Sequence, residues 1–138
     1  MKKYVVDTNC LLSYVTDRNP EQQEEVSHYF EDATNSKLQL VILSSVLVEF
    51  VYVLSAVYNA EDVKTAELLY ALYKTPGITV ESYCNLPAIL HIWPNKMQDY
   101  GDAVLAAYAG DNRVPVITFD KIFQKQLERY KIAVEKPL

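Results

Sequence analysis

Short apolar runs along the chain alternate with longer segments whose apolar residues recur every three or four positions. That alternation predicts an α/β sheet with crossover helices. The predicted strands are Tyr4–Val6, Leu40–Leu43, Ile78–Glu81 and Val116–Phe119, with a short edge strand near Ala133–Glu135. The run around Val116 is β-branched and continuously apolar, as expected of a parallel sheet covered on both faces. The predicted helices are Glu21–Thr34, a segment from Ser44 or Ser45 to about Tyr58, Glu61–Tyr73, Leu86–Trp93, Asp99–Gly110 and Lys121–Tyr130. In the first, Val26, Tyr29, Phe30 and Ala33 share one face behind Pro20. Ser44 or Ser45 is expected to cap the start of the second. Pro76 and Gly77 should stop the third, and Gly110 should cap the end of the fifth.

The largely apolar stretch Leu38–Tyr58 is about as long as the ~20 residues a bilayer requires. Ser44 and Ser45 interrupt it, however, and Glu49 would lie near the midplane at a cost of several kcal/mol. A buried strand followed by a buried helix accounts for the same residues, so no membrane span is expected.

Composition adds limits rather than a function. The chain has 138 residues, 50% of them hydrophobic and 22% charged, a globular mixture that fits a single domain over 1–138. No repeat or low-complexity tract divides it. Asp7 and Asn9 interrupt any apolar core of a signal peptide. Cys10 and Cys84 lack metal-ligand spacing, so the expectation is a reduced, cytoplasmic protein. A net charge of −5 excludes a simple basic coat protein for nucleic acid. It does not exclude RNA, because carboxylates masked by metal would leave the chain nearly neutral.

Ligands of open parallel sheets gather at the carboxyl ends of strands. Asp7 directly follows the first predicted strand and Asp120 the fourth. Each also suits a helix cap, a plain structural role. Glu49 lies in a helix that is apolar on nearly every side, Val46-Leu47-Val48-Glu49-Phe50-Val51-Tyr52. It either belongs to an exposed stripe with Ser45 and Tyr52 or ligates something, since buried Glu needs a partner. Asp99 and Asp102 stand at the start of a helix, where the dipole favours acids. The small, apolar run after Asp102 suits close packing on a sheet. Four separate capping roles would have to coincide for none of these acids to matter.

In order and spacing, Val6-Asp7-Thr8-Asn9, Ser45-Val46-Leu47-Val48-Glu49, Asp102-Ala103-Val104-Leu105-Ala106-Ala107 and Thr118-Phe119-Asp120 resemble the PIN-domain nucleases, especially the VapC-like toxins of bacterial and archaeal toxin–antitoxin pairs. The resemblance spans almost the whole chain. It implies a Rossmann-like three-layer sandwich around a central, mostly parallel sheet of four or five strands. It also implies an acidic quartet, Asp7, Glu49, Asp102 and Asp120, that is both catalytic and metal-binding. Thr8 or Asn9 would be the polar helper after the first acid and Thr118 the one before the last. Asp99 is an additional acid without a fixed counterpart. Mg²⁺ or Mn²⁺ as cofactor, endoribonuclease activity, homodimerisation and an antitoxin partner come with the resemblance.

The chemistry of such a quartet is intelligible. Hard divalent cations prefer oxygen ligands, and Mg²⁺ keeps several waters beside one or two carboxylates. Neither histidine falls in these motifs; His28 and His91 read as structural. Lys121, Lys125 and Arg129 recur every four residues and form one row beginning beside Asp120, either a solvated face or a track for RNA phosphates. Tyr14 or Tyr100 would be placed to stack a base near the acids. Hydrophobic surface on the Glu49 helix and on Glu61–Tyr73 suggests a dimer or an antitoxin contact.

Three other readings compete. One is a housekeeping nuclease acting on ribosomal RNA precursors or flap-like DNA. Another is a non-catalytic RNA- or protein-binding module, against which the intact quartet speaks. The third is an aspartyl phosphatase with an Asp-x-Asp motif, which Asn9 breaks.

Overall fold

The computed structural model describes residues 1–138. Five parallel strands form one sheet in the order β3-β2-β1-β4-β5: β1 Lys2–Val6, β2 Leu38–Leu43, β3 Ile78–Glu81, β4 Val116–Ile117 and β5 Val134–Glu135. β1 is the centre. Val5 faces Val41 on one side and Val116 on the other. The chain builds outward from β1 through β2 to β3, then returns to β1's other edge to lay down β4 and β5. The order therefore reverses at β1, and a crevice opens where the loops after β1 and β4 part.

Helices fill the connections: α1 Thr8–Val15, α2 Pro20–Thr34, α3 Ser44–Ala56, α4 Asp62–Lys74, α5 Leu86–Ile92, α6 Tyr100–Asn112 and α7 Lys121–Arg129. This is the expected α/β architecture with a parallel central sheet. α1 follows β1 after a single residue, Asp7. Asn19 begins α2 by accepting a hydrogen bond from the Gln22 amide, with Pro20 in the first turn. The core is continuous, from Val5, Leu40, Ile42 and Ile117 in the sheet to Leu11, Phe50, Phe123 and Leu127 on the helices. α6 is buried along Ala103–Ala109, because its alanines let it lie close to its neighbours.

Several local expectations need correction. Neither Ser44 nor Ser45 caps α3; the helix begins at Ser44, Leu43 holds the cap position, and no side chain caps it. Gly110 does not end α6, which continues to Asn112 and stops at Arg113 in the left-handed region, φ 55°. β4 is shorter than the apolar run predicted, because Thr118 and Phe119 turn away to build the site. Gly77 follows the end of α4 for a packing reason. A Cβ there would fall on the carbonyl oxygens of Ala33 and Leu38, so only glycine lets the chain pass. No helix is long and apolar enough to cross a membrane.

Candidate active site

The register Val6↔Ile117 brings the residues after β1 and β4 together. The Asp7 amide donates to the Ile117 carbonyl at 3.1 Å. Asp7 is buried, and three donors fix its carboxylate: the Thr8 amide on Oδ1 at 2.8 Å, and Asn9 Nδ2 and Thr118 Oγ1 on Oδ2 at 3.2 and 2.7 Å. Thr118 is the hub. Its hydroxyl donates to Asp7 and accepts from Asn9 Nδ2 at 3.2 Å and from the Asp120 amide at 3.1 Å. Asn9 Oδ1 closes the lattice by accepting from the Phe119 amide at 3.3 Å. Of Thr8 and Asn9, it is Asn9 whose side chain bonds Asp7, whereas Thr8 Oγ1 is buried with no hydrogen-bond partner.

The other acids arrive on separate helices. Asp120 Oδ1 caps α7 by accepting from the Ile122 and Phe123 amides at 3.0 and 3.1 Å. Asp99 Oδ1 caps α6 by accepting from the Asp102 amide at 2.9 Å. Asp102 stands in the first turn of α6, and Glu49 projects from α3. A Cβ at Gly101 would lie 3.2 Å from Asp99 Oδ1 and 3.7 Å from Glu49 Oε2, so the absence of a side chain keeps that corner open. All five acids line one pocket of about 290 Å³, together with Thr8 and Asn9. Capping and a place in the pocket, which looked like alternatives in sequence, coexist: Asp99 and Asp120 each hold a helix start with Oδ1 alone, whereas both oxygens of Asp7 are engaged.

Residues 4–127 match the family model of the PIN domain. The chain belongs to the PIN-domain family. Its fold is shared with the structure of FitAB bound to an IR36 DNA fragment, at 15% identity and a TM-score of 0.68, over 97% of this chain and 94% of that one. FitAcB from Neisseria gonorrhoeae is similar at 14% identity and a TM-score of 0.65, over 97% of each chain. No curated protein sequence matches at a significant level. PIN domains are generally nucleases.

In this PIN domain the acids work against one another. Burial pushes the Asp102 carboxyl up to about 8, and the charges of Asp7, Asp99, Asp120 and Glu49 add to the rise. Burial also raises Asp7, to about 6; its Thr118 and Thr8 hydrogen bonds oppose the rise, and Glu49 and Asp120 reinforce it. No three of these side chains converge closely enough to chelate an ion as they stand. The donor set nonetheless fits a hard divalent cation. Every acid offers oxygen, and a positive charge there would reverse the mutual repulsion.

The basic row lies apart from this pocket. Lys121 Nζ donates to the Leu138 carbonyl at 2.6 Å, Lys125 is exposed, and Arg129 lies 5.7 Å from the Tyr130 ring centroid. None of the three lines the acid pocket. Tyr14 is stacked on Phe30 at 3.9 Å and serves packing, while Tyr100 is 45% exposed and packs edge-on against Trp93. Neither His28 nor His91 lines the acid pocket.

Two contributors escaped the sequence reading. Gln124, buried on α7, donates to the Thr118 carbonyl at 2.7 Å and steadies the turn after β4. Arg18, in the α1–α2 turn, lines the acid pocket. No local pattern marks either one.

Proposed function

We propose that this PIN domain, acting as one unit over 1–138, is a metal-dependent endoribonuclease and the toxin of a toxin–antitoxin pair. The observation that carries the reading is that five carboxylates line one open pocket at the sheet's switch point. Asp7, Glu49, Asp102 and Asp120 would hold Mg²⁺ or Mn²⁺, with Asp99 at the rim. When bound, such an ion lowers the pKa of a water and stabilises charge building on phosphoryl oxygens. Thr118 and Asn9 orient the Asp7 carboxylate, and Asp120 and Asp99 hold the helices that carry their neighbours. Lys121, Lys125 and Arg129 would meet RNA phosphates farther along the strand.

Partners belong to the same reading. The FitAB structure, of similar fold, is described as bound to a DNA fragment, and by that analogy of fold a DNA-binding antitoxin is the partner proposed for this chain. Val48 and Tyr52 on α3 and Val63, Tyr70 and Tyr73 on α4 are between 61% and 73% exposed. That apolar face supports a homodimer. A reducing cytoplasm suits the free Cys10 and Cys84.

The test is direct. Purified protein is incubated with end-labelled single-stranded and structured RNA, and with matched DNA, in Mg²⁺, Mn²⁺ or EDTA. RNA fragments should form with metal, and neither EDTA samples nor the Asp7→Asn protein should produce them. Intact RNA under every metal condition would overturn the nuclease reading. Cleavage of DNA alone would overturn its RNA substrate.

A further inference from the structure

A polyanion must approach a pocket ringed by negative charge, so any cation at its edge matters for docking. Of the nine residues lining the acid pocket, Arg18 alone is cationic. Its side chain is exposed yet fixed in place. Nε donates to Ser13 Oγ at 2.9 Å, and Nη2 donates to the Asn9 carbonyl at 2.9 Å. Ser13 is fully buried and donates in turn to Gln22 Oε1 at 2.8 Å, so the anchor is itself anchored.

Both acceptors of Arg18 are neutral. The single ion pair in the chain joins Lys136 to Glu128, so Arg18 pairs with none of the five nearby carboxylates. A guanidinium has five N–H donors in a planar fork. Two are held by the protein here, and the rest, with the whole charge, remain available at the pocket edge. A fork of this kind matches the non-bridging oxygens of a phosphodiester.

We infer that Arg18 is a phosphate-binding residue of this site, its guanidinium set by Ser13 and Asn9 to receive an RNA backbone phosphate at the edge of the carboxylate pocket. The inference rests on the nuclease reading and adds the group that positions the substrate. The plain alternative is a clamp that only ties the α1–α2 turn. A clamp acts through hydrogen bonds to Ser13 and Asn9, whereas a phosphate contact acts through charge. The two roles therefore separate in salt dependence.

The experiment uses the full chain with a fluorescein-labelled single-stranded RNA. Binding is followed by anisotropy in Mg²⁺ over a salt series, in an Asp7→Asn background that suppresses cleavage. Arg18→Gln should weaken binding about tenfold, the scale of one hydrogen bond to a charged group. It should also flatten the log–log salt slope by about 0.7, the value of one phosphate contact on a single strand. In the otherwise wild-type chain with metal, KM should rise about tenfold while kcat changes less than about threefold, the signature of lost uniform binding. Arg18→Lys should keep the salt slope, because it keeps the charge. Ser13→Ala should also keep it, while loosening the turn and lowering the melting temperature.

If the wild type binds RNA and Arg18→Gln matches Ser13→Ala with an unchanged slope, Arg18 is a clamp and the inference is overturned alone. If the wild type neither binds nor cleaves RNA, the endoribonuclease reading and the inference fall together.

Discussion

Thr118 Oγ1 donates to Asp7 Oδ2 at 2.7 Å, joining the ends of two adjacent strands that lie 111 residues apart in sequence. The bond is buried and is the shortest of the three that hold the Asp7 carboxylate. Through the same hydroxyl, Thr118 also receives the Asp120 amide. One side chain therefore sets the relation between the first and last acids of the pocket.

Thr118→Val keeps the shape of the side chain and removes that hydroxyl. Asp7 and Asn9 each lose a buried partner, which should lower stability by about 1–3 kcal/mol. Metal affinity or cleavage should fall about 10–100-fold, as when an outer partner of a ligand is removed. Denaturant melts together with a metal titration would measure both. Wild-type metal affinity in Thr118→Val would show that Asp7 needs no such support.

Asp7→Asn removes the charge but preserves size and the acceptor for the Thr8 amide. Its circular dichroism and melting cooperativity should match the wild type. RNA cleavage should drop about a thousandfold, equivalent to several kcal/mol of lost transition-state stabilisation. Near wild-type cleavage in a preparation free of contaminating nuclease would sink the assignment of Asp7. The same change at Asp99 should give only a partial loss.

The raised carboxyls predict a pH-dependent melt in EDTA. Asp7 is raised to about 6 and Asp102 to about 8, whereas an unfolded Asp titrates near ~3.9. Below about pH 4 both states are protonated and the stabilising contribution is complete. As pH rises the unfolded chain loses its protons first, so stability falls until pH passes the folded values. The metal-free melting temperature should therefore decline from about pH 4 to 8. Asp102→Asn should remove the upper part of that decline and melt at or above wild type near pH 8. Mg²⁺ or Mn²⁺ should raise the wild-type melting temperature by mass action and the variant's much less. Equal metal-induced shifts in the two proteins would mean that the acids do not form one site.

The apolar face of α3 and α4 makes a separate prediction. Tyr52 and Tyr70 are mostly exposed within one chain, so Tyr52→Glu and Tyr70→Glu should change subunit stability within about 0.5 kcal/mol. If that face joins two copies, both variants should shift the mass measured by light scattering from dimer toward monomer. A wild type that is monomeric at every concentration would remove the dimer.

How much of this was legible beforehand depended on how far each signal travelled. Asp7 and Asp120 could be located because strand ends are predictable from apolar runs, and sites collect there. Glu49 stood out as the one carboxylate in an apolar helix. The caps of α3 and α6 were misplaced because they turn on single dihedral angles: Arg113 adopts a left-handed conformation three residues beyond where Gly110 offered one. Arg18 and Gln124 were invisible for a different reason. Each acts through a side chain that reaches back to a backbone carbonyl, Asn9 and Thr118 respectively, and Asp17-Arg18-Asn19 reads in isolation as an ordinary polar turn. The lysine and arginine row on α7 was conspicuous by spacing, yet it does not border the pocket.

Three of the pocket acids, Asp7, Asp99 and Asp120, also begin helices α1, α6 and α7. Asparagine caps a helix nearly as well as aspartate, so a one-atom change from carboxylate to amide would disarm the pocket and leave the architecture standing. On the proposed nuclease reading, a lineage that loses the activity but keeps the fold therefore has a short path open to it. Inactive descendants of this chain should carry Asn at positions 7, 99 and 120 more often than Ala or Val. At position 49, where no helix start depends on the side chain, their replacements should be far more varied.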